Sequence, residues 1–166
     1  TFLNARETND VWYTAVLPVT KRESVLGKCL LAVFFQLFQL LFSIPFVLLR
    51  NVLNIANNPV GLDATVAWYG FGFILYAVFD LIFLTSFYKS GYKAGQSFIL
   101  AAIPMVLLMV AIEAAAHIPA FSWMDSYQPE DLIIQLPILV IGFICYGVII
   151  TLAYRIAAKR FEKVDL

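Results

Sequence analysis

Four apolar runs constrain this chain more than any other feature. They cover 29–49, 65–88, 94–112 and 133–154, each close to the ~20 residues a helix needs to cross a bilayer's hydrocarbon core. Inside lipid every backbone N–H and C=O must be satisfied by the protein itself, so only helices and closed barrels span. The runs lack the polar/apolar alternation of barrel strands and are roughly twice as long. The chain therefore reads as an all-α membrane protein, a polytopic bundle with four transmembrane helices. Composition agrees: 62% of residues are hydrophobic and 13% charged, against about 45–50% and about 25% in soluble domains. A soluble enzyme, a disordered chain and a nucleic-acid binder built on a basic surface are excluded.

The charges give the topology. Net charge is zero, yet all but one of the 11 Lys and Arg fall in 1–28, in the 89–93 turn or in 155–166. These are Arg6, Lys21, Arg22, Lys28, Lys89, Lys93, Arg155, Lys159, Arg160 and Lys163. The connectors 50–64 and 113–132 hold only Arg50. Basic residues are retained on the cytoplasmic side, which places both ends and the 89–93 turn there. Four crossings return a chain to its starting side, so span count and charge count agree. The predicted organisation is a cytoplasmic segment at 1–28, a transmembrane region at 29–154 and a basic cytoplasmic tail at 155–166. Trp68, Tyr69, Tyr88, Tyr92, Trp123, Tyr127 and Tyr154 lie near predicted span ends, where amphipathic rings anchor at the headgroups.

The connectors differ. Residues 50–64 contain Asn51, Asn54, Asn57, Asn58, Pro59, Gly61 and Asp63, a loop composition. The longer 113–132 segment mixes Ile118, Phe121, Trp123 and Met124 with Ser122, Asp125 and Ser126, and predicts a short helix pair in the outer interface. Thr20 and Glu23 form a T-x-x-E capping box, which starts a helix at Lys21. Pro18 bars smooth continuation from upstream. A charged, capped helix then leads straight into the first span, either as a plain run-up to a membrane helix or as a docking element for a cytoplasmic partner.

Within the spans Asp80 is the only charge, at a cost of about 2.5–3.5 kcal/mol near a helix centre. Tyr76 and Gly72 precede it by four and eight residues and share its face. Gln36, Gln39 and Ser43 follow an i, i+3, i+7 stripe that should face protein or water. Gln36, Gln39, Ser43, Tyr76 and Asp80 are thus candidates either for lining a substrate path or for joining helices by hydrogen bonds. Pro45, Pro104 and Pro137 mark kinks or helix starts, and Gly142, Gly147 and Ala153 offer close helix contact. Cys29 and Cys145 are isolated in apolar runs and form no zinc or disulfide pattern. His117 lies four residues after Glu113, and a metal site would need a third ligand such as Asp125.

Two segments carry a resemblance. Leu17-Pro-Val-Thr-Lys-Arg-Glu-Ser-Val-Leu-Gly-Lys28 resembles the LPVSRKEIVLGKY segment of small bacterial ABC-2-type permeases, the membrane subunits of ATP-driven exporters. Phe87-Tyr-Lys-Ser-Gly-Tyr-Lys93 resembles their YYKFGYKK turn, and the basic tail after the last span is similar in place. Such permeases usually have six spans, with the Leu-Pro segment after the second; the resemblance implies that the first two lie outside this chain. It implies that residues 20–28 include or adjoin a coupling helix seated on an ATPase, with Leu17, Pro18, Thr20, Lys21, Arg22, Glu23, Lys89 and Lys93 as partner-coupling residues. It implies a multi-pass protein of the bacterial cell membrane, paired with a second permease subunit and an ABC ATPase subunit, with ATP and Mg on that ATPase and no cofactor on this chain. It also implies a re-entrant element between the last two spans.

Catalytic signatures are lacking. There is no Walker A run, no HExxH, no GxSxG and no Cys with a paired His. The expected function is the translocation path of an ABC-2-type exporter. The competing expectation is a non-transporting membrane scaffold that binds a cytoplasmic partner through the same basic segment.

Overall fold

A computed structural model of the chain describes residues 18–53, 61–90 and 93–163. Leu17, Arg6, Asn54, Asn57, Asn58, Pro59 and Tyr92, singled out above, lie outside the described residues. The elements are α1 (Lys21–Val52), α2 (Val66–Lys89), α3 (Ala94–Ala116), a 3-10 helix (Pro119–Asp125) and α4 (Pro129–Glu162). There is no strand among the described residues. All four α-helices are long and apolar enough to cross a membrane.

Local chemistry explains the boundaries. The Thr20 N–H donates to Glu23 Oε2 at 2.7 Å, and the Glu23 N–H donates to Thr20 Oγ1 at 3.2 Å. This reciprocal pair satisfies two of the amide donors that a helix start leaves open. Thr65 caps α2 by accepting from the Trp68 N–H. At α4, Pro129 occupies the first turn with Glu130 and Asp131, and Lys159 and Arg160 close the last turn, each sign where the helix dipole favours it.

Nothing interrupts α1 between Lys21 and Val52, so the capped helix leads straight into the first span. Two expectations need correction. The 113–132 segment is not a helix pair. The helix α3 runs on to Ala116 and α4 begins at Pro129, which leaves room for one 3-10 helix opened by Pro119. Pro45, Pro104 and Pro137 mark no helix start; each lies inside its helix, as spans tolerate when neighbours re-satisfy the freed carbonyl.

The helix α2 is central, packed most extensively on α4 and then on α3, while α1 rests on α4. A Cβ on Gly70 would lie 2.6 Å from the Ile138 carbonyl oxygen, and one on Gly142 would run into the Gly70 carbonyl. The two backbones therefore touch, which only glycine permits. Gly142 thus has the predicted role, with Gly70 as its partner. Gly147 does not share it, since a Cβ there would meet nothing within 4 Å. Ala153 and Ala157 are fully buried and extend the contact with small side chains.

The two ends of the bundle differ. At one end Val25, Cys29, Leu84, Phe87, Tyr88 and Phe161 form an apolar core, and the Lys and Arg of the first turns of α1, the α2–α3 turn and the end of α4 fall at this end. The other end gathers Asp63, Glu113, Asp125, Glu130 and Asp131 around a small core of Leu62, Ala67 and Met124.

Candidate functional site

A row of polar residues runs down α1 at seven-residue spacing: Arg22, Cys29, Gln36, Ser43 and Arg50. Such a row drifts only about 20° per step around a straight helix, so it stays on one face. Arg22 Nε donates to Glu162 of α4 at 2.5 Å. Cys29 is buried in the apolar core. Gln36 Nε2 donates to Asp80 Oδ1 of α2 at 3.0 Å, and its Oε1 accepts from the Tyr146 hydroxyl of α4 at 2.6 Å. Ser43 Oγ lies 2.8 Å from the Tyr69 hydroxyl. Arg50 pairs with the fully buried side chain of Asp63.

Of the stripe expected from the sequence, Gln36 and Ser43 lie on this longer row and make the rungs to α2, while Gln39 lies off it and is exposed. Asp80 is 2% exposed and joins α1, α2 and, through Gln36, α4. Its second oxygen, Oδ2, is buried with no hydrogen-bond partner among the described residues. Sequence reasoning missed Tyr146, a tyrosine in mid-span whose depth alone could have marked it. It also treated Arg50 only as the exception to charge sorting, although seven-residue counting from Gln36 and Ser43 reaches it.

The seam between α1 and α2 holds two cavities. One, of about 570 Å³, lies toward the basic end, with Gln36 and Asp80 in its wall among Phe35, Phe79, Phe83 and Phe98. The other, of about 240 Å³, lies toward the acidic end, with Gln39, Tyr76 and Glu113 in its lining. Gly72 also lines it, and a Cβ there would meet the Leu40 side chain at 3.6 Å. The predicted path residues Gln36 and Asp80 thus share one chamber and Gln39 and Tyr76 the other, while Ser43 bonds across the seam.

The acidic end is latched. The Leu62 N–H donates to Glu113 Oε2 at 2.9 Å, and the Asp63 N–H donates to Asp125 Oδ1 at 2.6 Å. Thr65 Oγ1 donates to the Met124 carbonyl at 2.8 Å. The fully buried Gln135 accepts from the Ala67 N–H and donates to the carbonyls of Trp123 and Ser126. Burial pushes the Asp125 carboxyl above its usual range; the Asp63 amide opposes this and the Asp63 and Glu113 charges add to it. His117 ends α3, with Nδ1 2.8 Å from the Glu113 carbonyl oxygen. The Glu113 and Asp125 carboxylates are each engaged by loop amides, and no three metal-ligating side chains converge among the described residues.

At the basic end Pro18, Val19 and Thr20 are exposed just before α1, Arg22, Glu23 and Leu26 are exposed on its first turns, and Lys89 and Lys93 are exposed at the neighbouring turn. Glu23 is engaged in the capping box and Arg22 in its pair with Glu162. Lys21 Nζ stands 5.7 Å over the Phe161 ring.

A family model described as ABC-2 family transporter protein matches residues 6–159, nearly the whole chain. No curated protein and no solved structure matches. The chain belongs to the ABC-2 transporter family, and it is a multi-pass membrane component of a transporter, not itself catalytic.

Proposed function

We propose that this ABC-2 family protein is the permease subunit of an ATP-driven exporter in a bacterial cell membrane. It works with a second permease subunit and with ABC ATPase subunits that bind ATP and Mg and meet it at the basic end. The observation that carries the reading is α1. Its exposed, capped first turn continues without a break into a span held to α2 across two cavities by hydrogen-bonded rungs.

ATP-driven closure of two ATPases must push on something rigid. A helix of 32 residues capped at its pushed end transmits a displacement along its length without fraying. Near that end α1 sits in apolar packing, Val25 and Cys29 against the α2 and α4 side chains of the basic-end core. Beyond it α1 contacts α2 through polar rungs and Leu40. A push on residues 18–26 therefore tilts α1 about its apolar seat, and the rungs at Gln36 and Ser43 part. The two chambers then join along the seam in one state and are divided in the other, which is alternating access. Gln36, Gln39, Ser43, Tyr76 and Asp80 would offer cargo polar contacts in an otherwise apolar route. Lys89 and Lys93 lie beside the docking turn and complement an acidic rim on the ATPase.

The test uses the full-length permease co-expressed with an ABC ATPase and reconstituted in vesicles. Arg22 and Glu23 are poor probes, because reversing either breaks an internal bond. Val19→Asp and Lys93→Glu change exposed positions at the docking face. They should cut ATPase co-purification and cargo-stimulated hydrolysis severalfold while insertion and thermal stability stay unchanged. Coupling that survives both substitutions overturns the proposed docking face. A partner that binds but never shows permease-dependent hydrolysis favours a scaffold.

A further inference from the structure

We infer that the larger chamber is a binding site for amphipathic primary amines, with the ammonium group meeting Asp80 and the apolar body lying among the phenylalanines. The inference rests on the permease reading only for calling that ligand a cargo; the binding itself stands on the geometry.

The cavity of about 570 Å³ has almost wholly apolar walls, with Leu31, Phe35, Phe79, Phe83 and Phe98 around it and Gln36 and Asp80 as its polar side chains. Ligand sites commonly combine such an apolar lining with a few placed polar groups. Here the polar group is unusual. A carboxyl is almost completely buried at mid-span, one oxygen accepts from Gln36, and the other has no partner among the described residues. A buried carboxylate oxygen without a donor is costly in hydrocarbon, and a cationic donor removes that cost. Gln36 reaches only Oδ1, and its carbonyl oxygen is held by Tyr146.

The wall also sets the size of the head group. Oδ2 is itself buried, so a head group must press between wall side chains to reach it. A primary ammonium is compact and carries three donors; a trimethylammonium is bulky and carries none. The phenylalanine faces add cation–π attraction for whichever cation enters. An alkyl tail can lie along Phe79 and Phe98, whose rings stand edge to face 5.6 Å apart across α2 and α3. The ligand class is therefore a chain or ring system bearing one primary amine. Neutral lipids and quaternary amines are disfavoured.

The full chain is placed in phosphatidylcholine nanodiscs, with no ATPase or transport assay involved, so failure here is distinct from failure of the exporter reading. It is photolabelled with a dodecylamine carrying a diazirine in its chain, with the matching alcohol, and with the trimethylammonium analogue. Labelled positions are read by peptide mass spectrometry. The amine should label residues 31–36, 79–84 and 94–98 more strongly than either analogue. Asp80→Asn should lower amine labelling there about tenfold, as expected for a lost charge-assisted bond, and leave alcohol labelling within about twofold of wild type. Gly95 lines the cavity, and a Cβ there meets nothing within 4 Å. Gly95→Leu therefore adds bulk at the lining from an unobstructed Cβ and should weaken labelling by all three probes, with a thermal melt like the parent's showing that the fold is kept. Equal labelling by amine and alcohol in the wild type overturns the site. So does amine labelling that persists in Asp80→Asn or is unmoved by Gly95→Leu.

Discussion

The joint between α2 and α4 and the joint between α1 and the rest of the bundle are built in opposite ways. At the first, Gly70 and Gly142 bring two backbones into contact, and buried alanines continue the seam. At the second, α1 buries Val25 and Cys29 near its start and Leu40 in mid-span, and polar side chains two turns apart bond it to its neighbours. Its far face carries Phe34, Phe38, Phe42 and Phe46 in a ladder of ring contacts, all exposed in this chain. In lipid, apolar burial gives little drive for helix association, so close packing and hydrogen bonds decide. Close packing of backbones is all-or-none and makes a permanent joint. Isolated hydrogen bonds can be exchanged one by one, and they make a joint that opens. In the proposed mechanism the pair α2–α4 is the frame and α1 the moving part.

The largest expected effect comes from breaking the frame. Gly142→Leu places a side chain inside the Gly70 backbone and should cost about 3 kcal/mol or more, seen as loss of the monodisperse folded protein in detergent. Gly147→Leu, where there is open space, should melt like the parent. If the two variants behave alike, the backbone contact is not what joins α2 to α4. Next is the latch at the acidic end. Gln135→Leu leaves the Ala67 amide and the carbonyls of Trp123 and Ser126 without this partner and should cost roughly 1–3 kcal/mol in equilibrium unfolding.

The rungs of α1 should be weaker. Gln36→Leu removes the bonds to Asp80 and Tyr146, at about 0.6–1.7 kcal/mol by analogy with interhelical bonds in other membrane proteins. Its sharper signature is local: hydrogen exchange should rise in α1 and hardly change in α2 and α4. Uniform loosening of all helices would remove the distinction between frame and moving part. The smallest effect is that of pH at the latch. The folded Asp125 carboxyl holds its proton to a higher pH than the unfolded one, near 3.9. Its contribution is thus fully present below the unfolded value and is lost as pH rises through the raised folded value. Asp125→Asn keeps an oxygen that can accept from the Asp63 amide. It should flatten that part of the stability–pH curve and leave stability at neutral pH equal to or slightly above the parent's.

The frame and the moving part were unequally legible in the sequence. The four apolar helices and the Thr20–Glu23 cap depend on local pattern, and both appear in the structure. The Gln36 and Ser43 stripe was legible because amides and hydroxyls avoid lipid. The Gly70–Gly142 contact was not, since a crossing of two glycines on different helices leaves no spacing within either helix. Gln135 carries no such local signal, because the carbonyls it bonds, at Trp123 and Ser126, belong to the 3-10 helix and its cap. The 113–132 segment was over-read as two helices, because alternating apolar and polar residues suit a buried turn as well as an amphipathic helix. Tyr146 escaped because the hydroxyl's partner lies on another helix, 110 residues away in sequence.

The most direct test of the central claim compares two distances in one protein. With Cys29 and Cys145 replaced by alanine, spin-label pairs are placed at Leu48 and Ile134, exposed on α1 and α4, and separately at Val78, half-buried on α2, and Val148, exposed on α4. Distance distributions are measured with the ATPase bound, first without nucleotide and then trapped with ATP and vanadate. The account predicts that the Leu48–Ile134 distribution shifts between the two states while Val78–Val148 stays fixed. A fixed Leu48–Ile134 distribution, or an equal shift in both pairs, contradicts it.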